Sequence, residues 1–190
     1  MKDTYPIIAL FIALNTYTGI VKSSTCIAHR GDNKYQTENT WNSIESALKK
    51  NADGIEVDIH HTKDNEAIIF HDKRLRRLMI DKKGKNCPRY KKIKKIYLKD
   101  IQKNCIYKDG QEVLTLKQYL QKTQDWDIYH FFEFKDVPHP KTLDLLEKNI
   151  SNYDKVKFIS FKSKALKETF RHFKKVTKRN SNYLKLYYFW

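Results

Sequence analysis

Glycine and proline together number nine in 190 residues, five and four respectively, which excludes a collagen-like chain or a Pro/Gly-rich disordered one. Cysteine is scarce as well. Cys26, Cys87 and Cys105 cannot all pair internally and show no C-x-x-C spacing that argues for zinc, although one bridge from Cys87 to Cys105 is open to the chain in an oxidising compartment. Arginine is sparse, with 7 residues against 31 lysines. Because bidentate phosphate and base recognition is typically arginine's work, the net charge of +16 does not point to specific nucleic-acid recognition. Long apolar runs are missing too: the N-terminal run from Tyr5 to Leu14 falls short of the roughly 20 residues of a membrane span. With Lys2 before it and Asn15, Thr16, Thr18 and Gly19 after it, residues 1–22 read as a secretory signal peptide, which implies a secreted or periplasmic protein. An uncleaved membrane anchor and a first core element of a cytoplasmic chain are the alternatives.

What is present suits one domain over residues 23–190, with 40% apolar residues to build a core. The charge is uneven. Between Lys73 and Lys108 there are 15 basic residues against two acids, Asp81 and Asp100, so most of the excess lies in a basic insertion at about 73–110. Such a stretch steers anions or contacts a membrane surface, or is simply a solvated insertion or helix face.

Short apolar or alternating runs recur between helical patterns. Strands are expected at Cys26 to His29, Gly54 to Ile59, Glu66 to His71, Ile128 to Lys135, Val156 to Phe161 and Tyr183 to Trp190. Helices are expected behind an Asn39 or Thr40 cap, at Leu114 to Leu120, from Pro140, and through Ala165 to Phe173. Mostly alternating strands and helices imply an α/β fold with a largely parallel sheet or barrel.

The ionisable residues fall at strand ends. Residues two apart in a strand share a face, so Glu56 and Asp58 project together while Ile55, Val57 and Ile59 face the helices. Glu133 and Lys135 repeat the arrangement, and His29 and His71 each close an apolar strand. In a parallel barrel these ends converge on one mouth. Glu56, Asp58 and Glu133 brought together repel unless a cation sits between them, and an all-oxygen set suits Mg²⁺ or Ca²⁺. Two histidines beside it are candidates for general acid and base, and Arg30 with Lys135 for holding an anion. His60 alternates onto the acidic face, whereas His61, His130, His139 and His172 show no partner pattern.

The runs Ile27-Ala28-His29-Arg30-Gly31, Glu38-Asn39-Thr40, Gly54 to Asp64, Phe70-His71-Asp72 and Glu133-Phe134-Lys135 resemble the glycerophosphodiester phosphodiesterase family in order, residue type and spacing. The resemblance implies a TIM-type (β/α) barrel and divalent-cation-dependent hydrolysis of glycerophosphodiesters to glycerol 3-phosphate and an alcohol. It further implies His29 and His71 as acid and base, Glu56, Asp58 and Glu133 as metal ligands, Arg30 and Lys135 as phosphate contacts, and Glu38 as support of the mouth or an indirect metal contact. Thr37 and Leu114 stand where prolines are usual. Six strands can be counted where a closed barrel has eight, so the expected architecture is a barrel truncated after about six strands, with an open edge that invites self-association. The rival readings are an inactive remnant, a phospholipase D of the sphingomyelin-cleaving type, and a basic nucleic-acid or membrane-surface binder.

Overall fold

The computed structural model describes residues 25–176 and 185–188. The run read as a signal peptide lies outside the described residues, as do both ends of the expected strand from Tyr183 to Trp190. The first unit runs β1 (Ile27–His29), α1 (Trp41–Lys49) and β2 (Gly54–His61). Thr40 rather than Asn39 caps α1: its hydroxyl accepts from the Ser43 N–H, and Ser43 Oγ accepts from the Thr40 N–H, a capping box with serine in the return position. Ile44, Ala47 and Leu48 face inward from α1.

β3 (Ala67–Ile69) follows β2, and the 73–113 region holds β4 (Met79–Asp81), α2 (Leu98–Asn104) and β5 (Cys105–Tyr107). The remainder alternates: α3 (Leu116–Thr123), β6 (Tyr129–Phe134), α4 (Pro140–Asn149), β7 (Val156–Ser160), α5 (Ser163–Val176) and β8 (Lys185–Tyr188). The main sheet has the order β1-β2-β6-β7-β8, every neighbour parallel. Among the described residues β1 and β8 each have one neighbour. No helix among them is long and apolar enough to cross a membrane.

Two expectations need correction. The run from Glu66 to His71 does not form a further parallel strand. Its central residues, β3, return antiparallel along the end of β2, pairing Ile59 with Ile69 and His61 with Ala67, because the turn at Asp64-Asn65 is too short for a crossover. The parallel strands among the described residues are therefore five. Nor is the basic insertion a solvated loop or helix face. Ile68, Phe70, Leu75, Met79, Ile93, Ile96, Ile101 and Tyr107 bury together as a second core, β4 pairs antiparallel with β5, and Cys87 is disulfide-bonded to Cys105 inside it. Its lysines coat a packed body.

The principal core lies between the sheet and its helices. Ile55, Val57 and Ile59 of β2 meet Phe132, Phe134 and Phe158 of the neighbouring strands, with Ile44, Leu116, Tyr119 and Leu146 above them. Complete burial of each contributes roughly 1.5–3 kcal/mol. The helix-facing side of β2 is thus fully explained by apolar packing. Its other side is equally buried, yet carries Glu56, Asp58 and His60.

Candidate active site

The site begins where β1 ends. Arg30 and Gly31 both adopt left-handed backbone, at φ of 60° and 78°, which turns the chain sharply at the sheet's carboxyl edge. A Cβ on Gly31 would lie 2.5 Å from Ser43 Oγ and 2.6 Å from the Ser43 carbonyl carbon, so only glycine lets the loop press on the start of α1. The loop is sewn down there, with the Asp32 N–H donating to Ser43 O at 2.8 Å and Ser43 Oγ donating to Arg30 O at 3.1 Å. In this turn the Arg30 N–H is shared between the Glu56 carbonyl at 3.0 Å and Glu56 Oε2 at 3.1 Å.

Parallel register supplies the rest of the floor. His29 stands beside Glu56, and Asp58 beside Glu133. Glu56, Asp58 and Glu133 are 7%, 0% and 8% exposed as residues, and one carboxylate oxygen of each lies within 4.8 Å of the others. Lys135 Nζ sits 2.6 Å from Glu133 Oε1 and 2.9 Å from Asp58 Oδ1, and Arg30 Nε is 3.1 Å from Asp58 Oδ2. Charge is therefore unequally shared among the three acids. Burial works against ionisation of Asp58, but Lys135, Asn39 and Arg30 hold its carboxyl below the ordinary range. Glu56 is less well served: burial first, then Asp58 and Glu133, push it up to about 8, against a weaker opposing pull from the Arg30 N–H and guanidinium. Its Oε1 is buried without a hydrogen-bond donor among the described residues. Three converging carboxylates, one of them with an orphaned oxygen, fit a hard divalent cation bound through oxygen.

Above this floor stand the histidines. His29 is the more open, its side chain 61% exposed, with Nε2 3.8 Å from Glu56 Oε2; burial of its inner part, then Arg30, lowers its pKa from 6.5. His71 lines a cavity of about 380 Å³ together with His60 and Lys135. Its Nδ1 is 2.8 Å from Asp72 Oδ1, which leaves Nε2 as the nitrogen not engaged. All seven residues expected from the sequence thus lie around one mouth.

Four further residues complete it. Asn39, fully buried at φ 59°, donates from Nδ2 to Asp58 Oδ2 at 2.8 Å and accepts from the Asp58 N–H at 3.2 Å. Arg77 donates to Asp72 Oδ2 at 2.6 Å and, through its Nη atoms, to both oxygens of Glu38, which also meets Arg30 at 3.4 Å. Glu38 thereby ties Arg77 to Arg30. Asp136 lies against His60 Nδ1 at 3.1 Å, the His61 N–H at 3.2 Å and His61 Nδ1. Although burial opposes its charge, these two histidines hold Asp136 well below the carboxylate range. His60 Nε2 in turn lies 3.2 Å from the His71 carbonyl, which ties the pair to the mouth. Of the four, Asn39 and Asp72 were visible inside motifs; Arg77 was hidden in a basic run and Asp136 carried no signal.

The other histidines are engaged away from the mouth. His130 pairs with Tyr119 OH at 2.8 Å on the helix side of β6, His139 caps α4, and His172 joins Glu147 at 2.8 Å between α4 and α5.

A parallel α/β sheet with cations and buried acids at the carboxyl ends of its strands defines the class of (β/α) barrel proteins with their site at that mouth. The chain matches the Glycerophosphoryl diester phosphodiesterase family over residues 29–189 and belongs to that family. A glycerophosphodiester phosphodiesterase of Caldanaerobacter subterraneus subsp. tengcongensis is 48% identical over 46 residues, covering 24% of this chain and 19% of that one. Glycerophosphodiester phosphodiesterase 1 of Homo sapiens is 29% identical over 121 residues, covering 62% and 36%. The crystal structure of a glycerophosphodiester phosphodiesterase from Agrobacterium tumefaciens str. C58 superposes with a TM-score of 0.67 at 19% identity, over 80% of this chain and 64% of that one. An Oleispira antarctica phosphodiesterase in complex with the product sn-glycerol-3-phosphate gives 0.66 at 20%, over 87% and 65%. This chain therefore spans only part of the length of each relative.

Proposed function

We propose that the chain hydrolyses glycerophosphodiesters to glycerol 3-phosphate and an alcohol, with Mg²⁺ or Ca²⁺ held by Glu56, Asp58 and Glu133. The observation that carries this reading is the convergence of three buried carboxylates, one with an orphaned oxygen, beneath two histidines and beside Arg30 and Lys135. A bound divalent ion supplies Lewis-acid stabilisation of charge on the phosphoryl oxygens. Arg30 and Lys135 add fixed positive charge to the same face and orient the phosphodiester.

His71, held through Nδ1 by Asp72, offers Nε2 as general base to water or to the substrate's own 2-hydroxyl. As that oxygen bonds to phosphorus, the bond to the departing alcohol breaks, and His29 gives its proton to the leaving alkoxide; attack by water gives glycerol 3-phosphate directly, whereas attack by the 2-hydroxyl gives a cyclic phosphate that water then opens to glycerol 3-phosphate. Asp72 stabilises the imidazolium formed at His71, and Arg77 keeps Asp72 in place. The Cys87–Cys105 disulfide supports an oxidising compartment outside the cytosol.

The test is release of glycerol 3-phosphate from glycerophosphocholine, glycerophosphoethanolamine and glycerophosphoglycerol, with and without chelator. Activity is expected to vanish with chelation and return with Mg²⁺ or Ca²⁺. His29→Ala and His71→Ala should each lower turnover by about 10²-fold or more, as for loss of an acid or base. Undiminished turnover in excess chelator refutes the metal assignment, and unchanged rates in both histidine variants refute the roles.

A further inference from the structure

One flank of the mouth is basic without compensation. The Ile93 N–H donates to the Lys73 carbonyl at 3.0 Å, and Arg74 and Lys92 face each other in an antiparallel bridge, so two distant segments of the insertion are pinned side by side. Behind them Leu75 and Ile93 are buried in the second core. Residues beside these anchors line two adjoining cavities of about 260 and 380 Å³, which share Lys73, His60 and Lys135, and the second reaches His71. Lys73, Lys92, Lys94 and Lys162 line the first; Lys73, Arg74 and Arg76 line the second.

The two carboxylates in these walls are committed elsewhere, Asp136 to His60 and His61, and Asp72 to His71 and Arg77. Lys73, Lys92, Lys94 and Arg76 form no ion pair among the described residues. Like charges converging on one concave wall repel one another, and a dense anion relieves that repulsion. The wall is fixed by a packed core, and it opens directly onto Lys135 and His71 rather than onto a remote face.

We propose that this flank is a subsite for the departing alcohol, and that the preferred substrates are glycerophosphodiesters whose head group itself carries a phosphate. The inference rests on the hydrolytic reading of the site and specifies its substrate class. Lys73, Lys92 and Lys94 are the specificity-determining residues; Lys135 belongs to the phosphate undergoing hydrolysis.

The experiment compares two substrates that differ only by the terminal phosphate: glycerophosphoethylene glycol, and the same diester phosphorylated on its free hydroxyl. Released glycerol 3-phosphate is the readout with the full 190-residue chain. The phosphorylated compound is expected to show a kcat/KM about 10-fold higher at low salt, with the advantage shrinking as salt rises. In K73Q/K92Q/K94Q, three exposed positions where unfolding is not at issue, that ratio should fall toward one. A wild-type ratio of one, or a ratio unchanged in the triple variant, overturns the subsite. If neither diester is cleaved, the hydrolytic reading fails, and calorimetric binding of the two diesters decides the subsite by the same ratio. Cosedimentation with phosphatidylglycerol vesicles that is lost in the triple variant, without discrimination between the soluble diesters, assigns the lysines to a membrane surface and overturns the proposal.

Discussion

Asn39→Ala removes the side chain that fixes Asp58. Past Glu56 the register between β1 and β2 has ended, so the Asp58 N–H is met by Asn39 Oδ1 instead of a strand, while Asn39 Nδ2 donates to the carboxylate. The hydrogen bond to a charged acceptor contributes roughly 1.5–3 kcal/mol, and a buried N–H left without an acceptor costs about 1–3 kcal/mol more. Alanine must also hold the left-handed φ of 59°, a penalty of roughly 1 kcal/mol that asparagine bears better. Allowing for non-additivity, the expected loss is about 4 kcal/mol, a large part of a typical domain's total. Asn39→Gly loses the same hydrogen bonds but not the backbone penalty, so it should be the more stable of the two by about 1 kcal/mol. Asn39→Asp keeps shape and acceptor but turns the donor into a second carboxylate oxygen against Asp58, and should recover stability on mild acidification. Urea midpoints at constant m-value read all three. An alanine variant within 1 kcal/mol of wild type, or a glycine variant no better than alanine, would refute the reasoning.

Two other outcomes follow from the structure. Burial lowers the pKa of His130 to about 4 from 6.5, and Tyr119, which burial keeps protonated, donates to its Nδ1. The folded state thus prefers neutral His130: its contribution is whole above pH 6.5 and is lost as pH falls toward 4, on the order of 3 kcal/mol at most. The difference in unfolding free energy between wild type and His130→Gln should vary with pH in that window; a flat difference contradicts it. Gly31→Ala should cost about 3 kcal/mol or more from overlap and positive φ together. Adding Ser43→Gly should not rescue it, because two of the three overlapped atoms are Ser43 backbone; rescue would show that the side chain alone sets the limit.

Much of the site was legible because it is written at the ends of strands. The alternation Ile55-Glu56-Val57-Asp58-Ile59 separates a helix face from a mouth face by local geometry alone, and the helix caps and Gly31 are equally local. The direction of β3 was less plain. Its apolar run marks a strand but not a partner, although the tight turn at Asp64-Asn65 already favours a hairpin over a crossover. The second core escaped periodicity because Leu75, Met79, Ile93 and Ile101 sit on three-residue strands, 3₁₀ turns and a short helix amid lysines. Asn39 to Asp58, Arg77 to Glu38 and Asp136 to His61 are contacts across 19, 39 and 75 residues, which no spacing rule reaches.

β2 is held along its whole length, by β1 over Gly54 to Glu56, by β6 over Gly54 to Ile59 and by β3 over Ile59 to His61. Its strand-paired amides can exchange with solvent only when neighbouring strands separate, and that of Asp58 only when Asn39 lets go, so the backbone under Glu56 and Asp58 is expected in the slowest-opening part of the molecule. His29, by contrast, ends a three-residue strand with one neighbour among the described residues, and His71 lies two residues beyond another three-residue strand. Spacing among the acids is therefore set once, at folding, whereas the gap between the two imidazoles can breathe on much faster timescales. A head group of unfamiliar size would be accommodated by the rim, leaving the oxygens beneath it where folding put them.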